Sequence, residues 1–211
     1  MAVFNLSQFY NQLRIVDASL ALNSPIQVSR SAGGQIYSAL TGPRLWQGSI
    51  QCADYTHEGN RRIEALLALA QTPGNYFQMI PPKGNRPINY AGSGFTDVAT
   101  NGTQTAGNTL NLRGLPVSFK VSAGDYLSFP AGGTHRLYQV AADVTAAAGG
   151  TVTVTLTQPI PTSLLPDSDT DVRMIDPILT AQIVPGSVSY GSVGLSSTSG
   201  LSFEFIQSVR V

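Results

Sequence analysis

Thr151-Val152-Thr153-Val154-Thr155-Leu156-Thr157 alternates without a break. Val152, Val154 and Leu156 point one way and four threonines the other, the period of a strand buried on one face only. The stretches around it are short and β-like as well. Thr109–Leu112, Val117–Val121, Tyr126–Phe129 and Arg136–Val140 are separated by turn signals such as Ser122-Ala123-Gly124-Asp125 and Gly132-Gly133. Strands this short, divided by glycine turns, predict a small barrel or compact meander. Asp125 fits a hairpin turn, where Asp bonds its own backbone.

On the N-terminal side, Lys83–Gly94 is rich in Gly, Pro and Asn and reads as a linker. Before it, Tyr76–Ile80 is strand-like, and His57–Gln71 is the one convincing helix. Ile63, Leu66, Leu67 and Ala70 make its apolar stripe, Thr56 is placed to cap it, and Thr72-Pro73-Gly74 ends it. Arg44–Asp54 alternates, with Trp46, Ile50 and Cys52 opposite Gln47, Ser49 and Gln51. Leu13–Leu22, Ile26–Val28 and Gln35–Leu40 complete the strand-like segments before it.

On the C-terminal side, the Pro-rich Gln158–Pro166 closes the middle module, and Val172–Ile175 and Leu179–Val184 return the chain. Gly186–Gly200 reads as a Ser/Gly-rich loop, and Leu201–Val211 as a strand with Leu201, Phe203, Phe205 and Val209 on one face. The expected organisation is mainly β. Residues 1–90 and 180–211 form one β-sandwich domain with the helix, and 91–179 form an inserted small β-barrel.

Charged residues are only 11% of the chain, with 12 basic and 12 acidic side chains. No net field draws in nucleic acid or an anionic membrane. Low charge with much Gly, Thr and Val suits β proteins that pack many copies together. The lone Cys52 cannot form an internal disulfide. No segment approaches the roughly 20 apolar residues that span a bilayer. The N-terminus lacks the basic and apolar regions of a signal peptide, so synthesis in the cytosol is expected.

The chemistry-bearing residues are few. His57 and His135 lie far apart and lack zinc-ligand spacing, and no Gly-x-Ser-x-Gly elbow occurs. Asp167-Ser168-Asp169-Thr170-Asp171 alternates like a calcium loop, but Val172 stands where a glycine is needed and Ile178 where a carboxylate is. A solvated turn is the better reading. Gly92-Ser93-Gly94 opens no helix, so no phosphate loop is supported. Trp46 reads as a core aromatic. Arg61 and Arg62 lie on the exposed helix face, with Glu58 placed to pair with Arg62. No enzyme and no cofactor is expected; a glycan hydrolase would need paired carboxylates flanking a cleft.

Several segments in order carry a resemblance. They are Arg44-Leu45-Trp46-Gln47-Gly48-Ser49-Ile50, then Arg61-Arg62-Ile63-Glu64-Ala65-Leu66-Leu67-Ala68 and Leu110-Asn111-Leu112. Ala123-Gly124-Asp125-Tyr126-Leu127-Ser128-Phe129, Arg136-Leu137-Tyr138-Gln139-Val140 and Ser202-Phe203-Glu204-Phe205 follow. The series resembles the distal tail protein family of long-tailed (siphovirus-like) bacteriophages, from about residue 40 to the end.

The resemblance implies a β-sandwich belt domain that assembles as a hexameric ring. The ring would join the tail tube protein to the tail hub protein at the tail tip or baseplate of the virion. The genome would pass through its channel without specific binding, and no membrane would be involved. The inserted module would be similar to an oligosaccharide/oligonucleotide-binding (OB-fold) barrel or a sugar-binding module. Assembly would take place in the bacterial host cytoplasm. The expected inter-subunit contacts are Phe4, Phe9 and Tyr10 of the N-terminal segment, Arg61 and Arg62, and Val193 and Leu195 of the uncharged loop. The competing readings are a carbohydrate-binding module for a host-surface glycan, with Tyr126 and Tyr138 as candidate glycan contacts, or another minor tail or tail-terminator protein.

Overall fold

The computed structural model describes residues 2–92, 95 and 97–208, and the fold is mainly β. From the N-terminus come β1 (Val3–Phe4), β2 (Ile15–Ala18), β3 (Ala21–Asn23), β4 (Ile26–Arg30), β5 (Ile36–Leu40) and β6 (Leu45–Cys52). Helix α1 (His57–Ala70) and β7 (Tyr76–Met79) follow. The middle of the chain holds β8 (Ala99–Thr100), β9 (Gly107–Arg113), β10 (Lys120–Val121), β11 (Tyr126–Ala131), β12 (Thr134–Gln139), β13 (Val144–Thr145) and β14 (Val152–Ile160). The last strands are β15 (Leu179–Ile183), β16 (Ser189–Val193) and β17 (Thr198–Gln207).

Both ends of the chain build one large sheet in the order β1-β7-β15-β17-β6-β2, with β16 also beside β17 and β3 also beside β6. Its pairings are antiparallel except β1 with β7. The alternation in β6 decides its faces: Trp46, Ile50 and Cys52 are buried, and Gln47, Ser49 and Gln51 are exposed. Opposite them β17 buries Leu201, Phe203 and Phe205. α1 lays Ile63, Leu67 and Ala70 into the same cluster, with Leu66 half-buried. The Thr56 hydroxyl caps it by accepting the Gly59 N–H at 3.3 Å.

A second cluster of buried side chains fills the middle of the chain. Val152 pairs with Leu112 and Val154 with Leu110, so the alternating strand buries its aliphatics while Thr153 bonds Asn111 at its surface. Gly132 and Gly133, at φ 58° and 76°, make the two-residue turn between β11 and β12. Asp125 is buried, and its carboxylate accepts the N–H groups of Ser122 and Ile88, both at 2.8 Å. One side chain thus closes its own turn and fastens the segment before the module.

The two clusters meet at β12. Leu137 packs in the sheet's cluster and its neighbour Tyr138 in the other. The Leu137 carbonyl accepts both the Trp46 indole N–H, at 3.0 Å, and the Gln158 side-chain amide, at 2.6 Å. The Thr180 hydroxyl accepts the His135 backbone N–H at 3.0 Å.

Four local expectations are corrected. The run 13–22 is two strands, because the chain bends over β6 at Ser19-Leu20. Ser118, at φ 59°, keeps 117–119 out of a strand and leaves Val117 exposed. Residues 172–175 form no strand: Arg173 exchanges backbone bonds with Ser128, and the Val172 N–H donates to the Val98 carbonyl. The expected loop 186–200 contains a hairpin, β16 against the start of β17. Val209 lies outside the described residues.

Candidate assembly surface

Among the described residues β4 and β5 pair only with each other, and all ten of their residues are exposed. The register sets Ile26 opposite Leu40, Val28 opposite Ser38 and Arg30 opposite Ile36. Side chains of directly paired residues share a face, so Ile26, Val28, Ile36 and Leu40 form one apolar stripe. Each of the four is more than half exposed. An isolated two-stranded hairpin is marginal in water and gains independent stability only by packing against something else. At the root of this arm the Arg44 guanidinium donates to Ser24 Oγ, at 2.7 Å, and to the Thr157 carbonyl. The root therefore holds firm while the arm beyond it has no packing partner among the described residues.

The second exposed element is the β16–β17 hairpin. No charged residue or histidine lies between Asp176 and Glu204. Tyr190, Val193 and Leu195 are exposed, Leu195 completely. The hairpin rests on α1: Gln71 donates to the Tyr190 hydroxyl at 3.0 Å, and the His57 ring lies between the Leu195 carbonyl and the Thr198 hydroxyl. The outer edge of β16 pairs with no other strand among the described residues.

The remaining sequence-based candidates are scattered. Phe9 is a correction: it is fully buried, 4.9 Å from the Phe77 ring and 6.0 Å from Phe203, and offers nothing to a neighbour. Phe4 is half-buried beside β7, and Tyr10 is half-buried with its hydroxyl donating to the Ile80 carbonyl. Arg61 and Arg62 are exposed, and the expected Glu58–Arg62 pair does not form; the ion pairs among the described residues are Arg113–Asp169 and Lys120–Asp143.

Tyr138 is also a correction. It is buried and stacked on Phe129 at 4.9 Å, while Tyr126 is half-buried edge-on against Trp46. Burial pushes the Tyr138 phenol up to about 12, with the Arg136 cation acting in the opposite sense. Because this pKa lies above that of an unfolded tyrosine, about 10, the contribution to stability is complete below about pH 10. It is lost as pH rises towards about 12, by roughly 2–3 kcal/mol. Unfolding titrations between pH 9 and 12 are expected to show this loss, and Tyr138→Phe to remove the Tyr138 share of it.

Asp169 is paired with Arg113 at 2.8 Å, and the Asp167 carbonyl accepts the hydroxyls of Thr100 and Thr170. No three His, Cys, Asp or Glu side chains converge among the described residues. Burial pushes the Cys52 thiol up, which disfavours a thiolate. A cavity of about 330 Å³ lies at the arm's root between Arg44, Arg136, Tyr138 and Gln158.

The two strands of the arm are legible in the sequence, at 26–28 and 35–40; their exposure on both faces is not. The signal for the stripe was present: apolar residues at matched alternate positions in 26–40, and Arg30 as the single charge between Asp17 and Arg44. No protein-family model matches the chain, and no curated protein is significantly similar to it.

Proposed function

We propose that this chain is a structural bacteriophage tail protein of the distal-tail type, acting by assembly into a ring that joins the tail tube to the tail-tip hub. The β4–β5 arm carries the reading: ten exposed residues with an apolar stripe and no partner of their own. Exposed strand edges with apolar side chains invite aggregation unless another surface covers them. The low, balanced charge lets identical subunits approach closely. The function is geometric, a channel held open by packed copies, and requires no catalytic group. The hexameric number follows the resemblance to the distal tail protein family. Of the two candidate glycan contacts, Tyr126 is the more open and Tyr138 is buried.

Negative-stain imaging of the purified chain tests the proposal. Closed six-fold rings with a central channel are expected. Particles of single-subunit size at every concentration would overturn it.

A further inference from the structure

The arm and the β16–β17 tip lie at opposite ends of the large sheet. β6 starts at Leu45, where the arm joins, and runs antiparallel to β17, so the 194–197 turn lies beyond the Cys52 end of β6. The ten residues of β17 separate the two ends by roughly 30 Å at the usual strand rise. A closed ring of more than two identical subunits needs two different patches, one on each flank, because a patch that pairs with itself stops at a dimer. Resting on the ring reading above, we propose that the arm's apolar stripe docks on Tyr190, Val193 and Leu195 of the next copy of this chain.

Chemistry matches at the two ends. The stripe meets a hairpin that is itself exposed, apolar at these three positions and without charge. Arg30, paired with Ile36 near the arm's turn, is the only charge the arm brings. Beside the receiving tip, Asp54 and Glu58 are exposed and form no ion pair among the described residues. Arg14, bonded through its backbone to Ala53, is at the same end, and Arg61 and Arg62 begin the next turn of α1. Arg30 therefore has two open carboxylates at the edge of the tip, with Glu58 one turn ahead of the helix cations. The contact is directional, arm to tip, and each subunit uses both of its ends.

Cysteine cross-linking reads the direction. The native Cys52 is buried and stays out of the reaction. Under a mild oxidant, the double variant Ile36→Cys with Leu195→Cys should give a ladder of covalent oligomers. Ile36→Cys mixed with Leu195→Cys should give cross-linked dimers, and neither single variant should cross-link alone. Arg30→Glu should weaken assembly at least tenfold, and adding Glu58→Arg should restore it. Dimers from Ile36→Cys alone would show arm-to-arm pairing and overturn the inference. So would intact rings without an Ile36→Cys to Leu195→Cys bond, although the ring reading would then stand. A wild-type chain that stays monomeric would overturn both.

Discussion

Ile36→Asp is expected to abolish assembly while leaving the subunit folded. Ile36 is 60% exposed in the isolated chain, so the substitution removes no core contact. Surface changes of this kind usually alter stability by less than about 0.5 kcal/mol. In the proposed ring the same position would be covered, and a carboxylate there would have to be desolvated without a partner. A cost of about 3 kcal/mol per junction is a modest allowance for that, and it weakens each contact by a factor of more than ~100. Sedimentation should show wild-type oligomers and an Ile36→Asp monomer with the same thermal midpoint. Oligomers that survive Ile36→Asp would place the arm outside the interface.

Gly48→Ala is expected to have the largest effect on the fold itself. A Cβ at this position would stand 1.9 Å from the Ser19 carbonyl oxygen and 3.0 Å from the Phe205 ring. The obstacle is backbone that cannot retreat: Ser19 N–H donates to the Ser49 carbonyl and Ser19 Oγ accepts the Ser49 N–H, both at 2.9 Å. Glycine at 48 thus lets the chain bend between β2 and β3 directly over β6. Forcing a methyl group into this crossing should cost about 3 kcal/mol. For a domain of this size that lowers the melting temperature by roughly 6–12 °C. Thermal unfolding followed by circular dichroism checks it; a midpoint within a degree of wild type would mean the crossing yields easily.

Much of the sheet was legible because its strands are buried on one face. β6, the threonine strand β14 and the end strand β17 each alternate, and each buries the residues that the alternation selects. α1 was equally clear, ending at Ala70 with Gln71 as its cap. Phe9 was misplaced because a short 3-10 turn follows it at Tyr10–Gln12, and such a segment has no period from which to read an inward face. The 186–200 hairpin was hidden by its composition. Gly191 lies against the Ser199 carbonyl, where a Cβ would come within 2.2 Å, so the residue that looks like a loop signal is needed for close strand pairing.

The arm's exposure was hidden for a different reason. Alternation in 26–40 marks an apolar face but not what covers it, and none of the described residues does. In the sequence Tyr138 reads as a possible surface aromatic, although its neighbour Leu137 faces the other cluster across β12. A strand shared between two buried clusters presents neither side to solvent. Residues at such a junction look the same in sequence as those of a half-exposed hairpin.

Native mass spectrometry of the intact chain, beside a variant in which residues 26–40 are replaced by a short Gly-Ser turn, tests the central claim most directly. Assembly through the arm predicts a wild-type species of six times the 22.2 kDa subunit mass and a folded monomer for the variant. A wild-type monomer at every concentration, or rings that form without the arm, would contradict it.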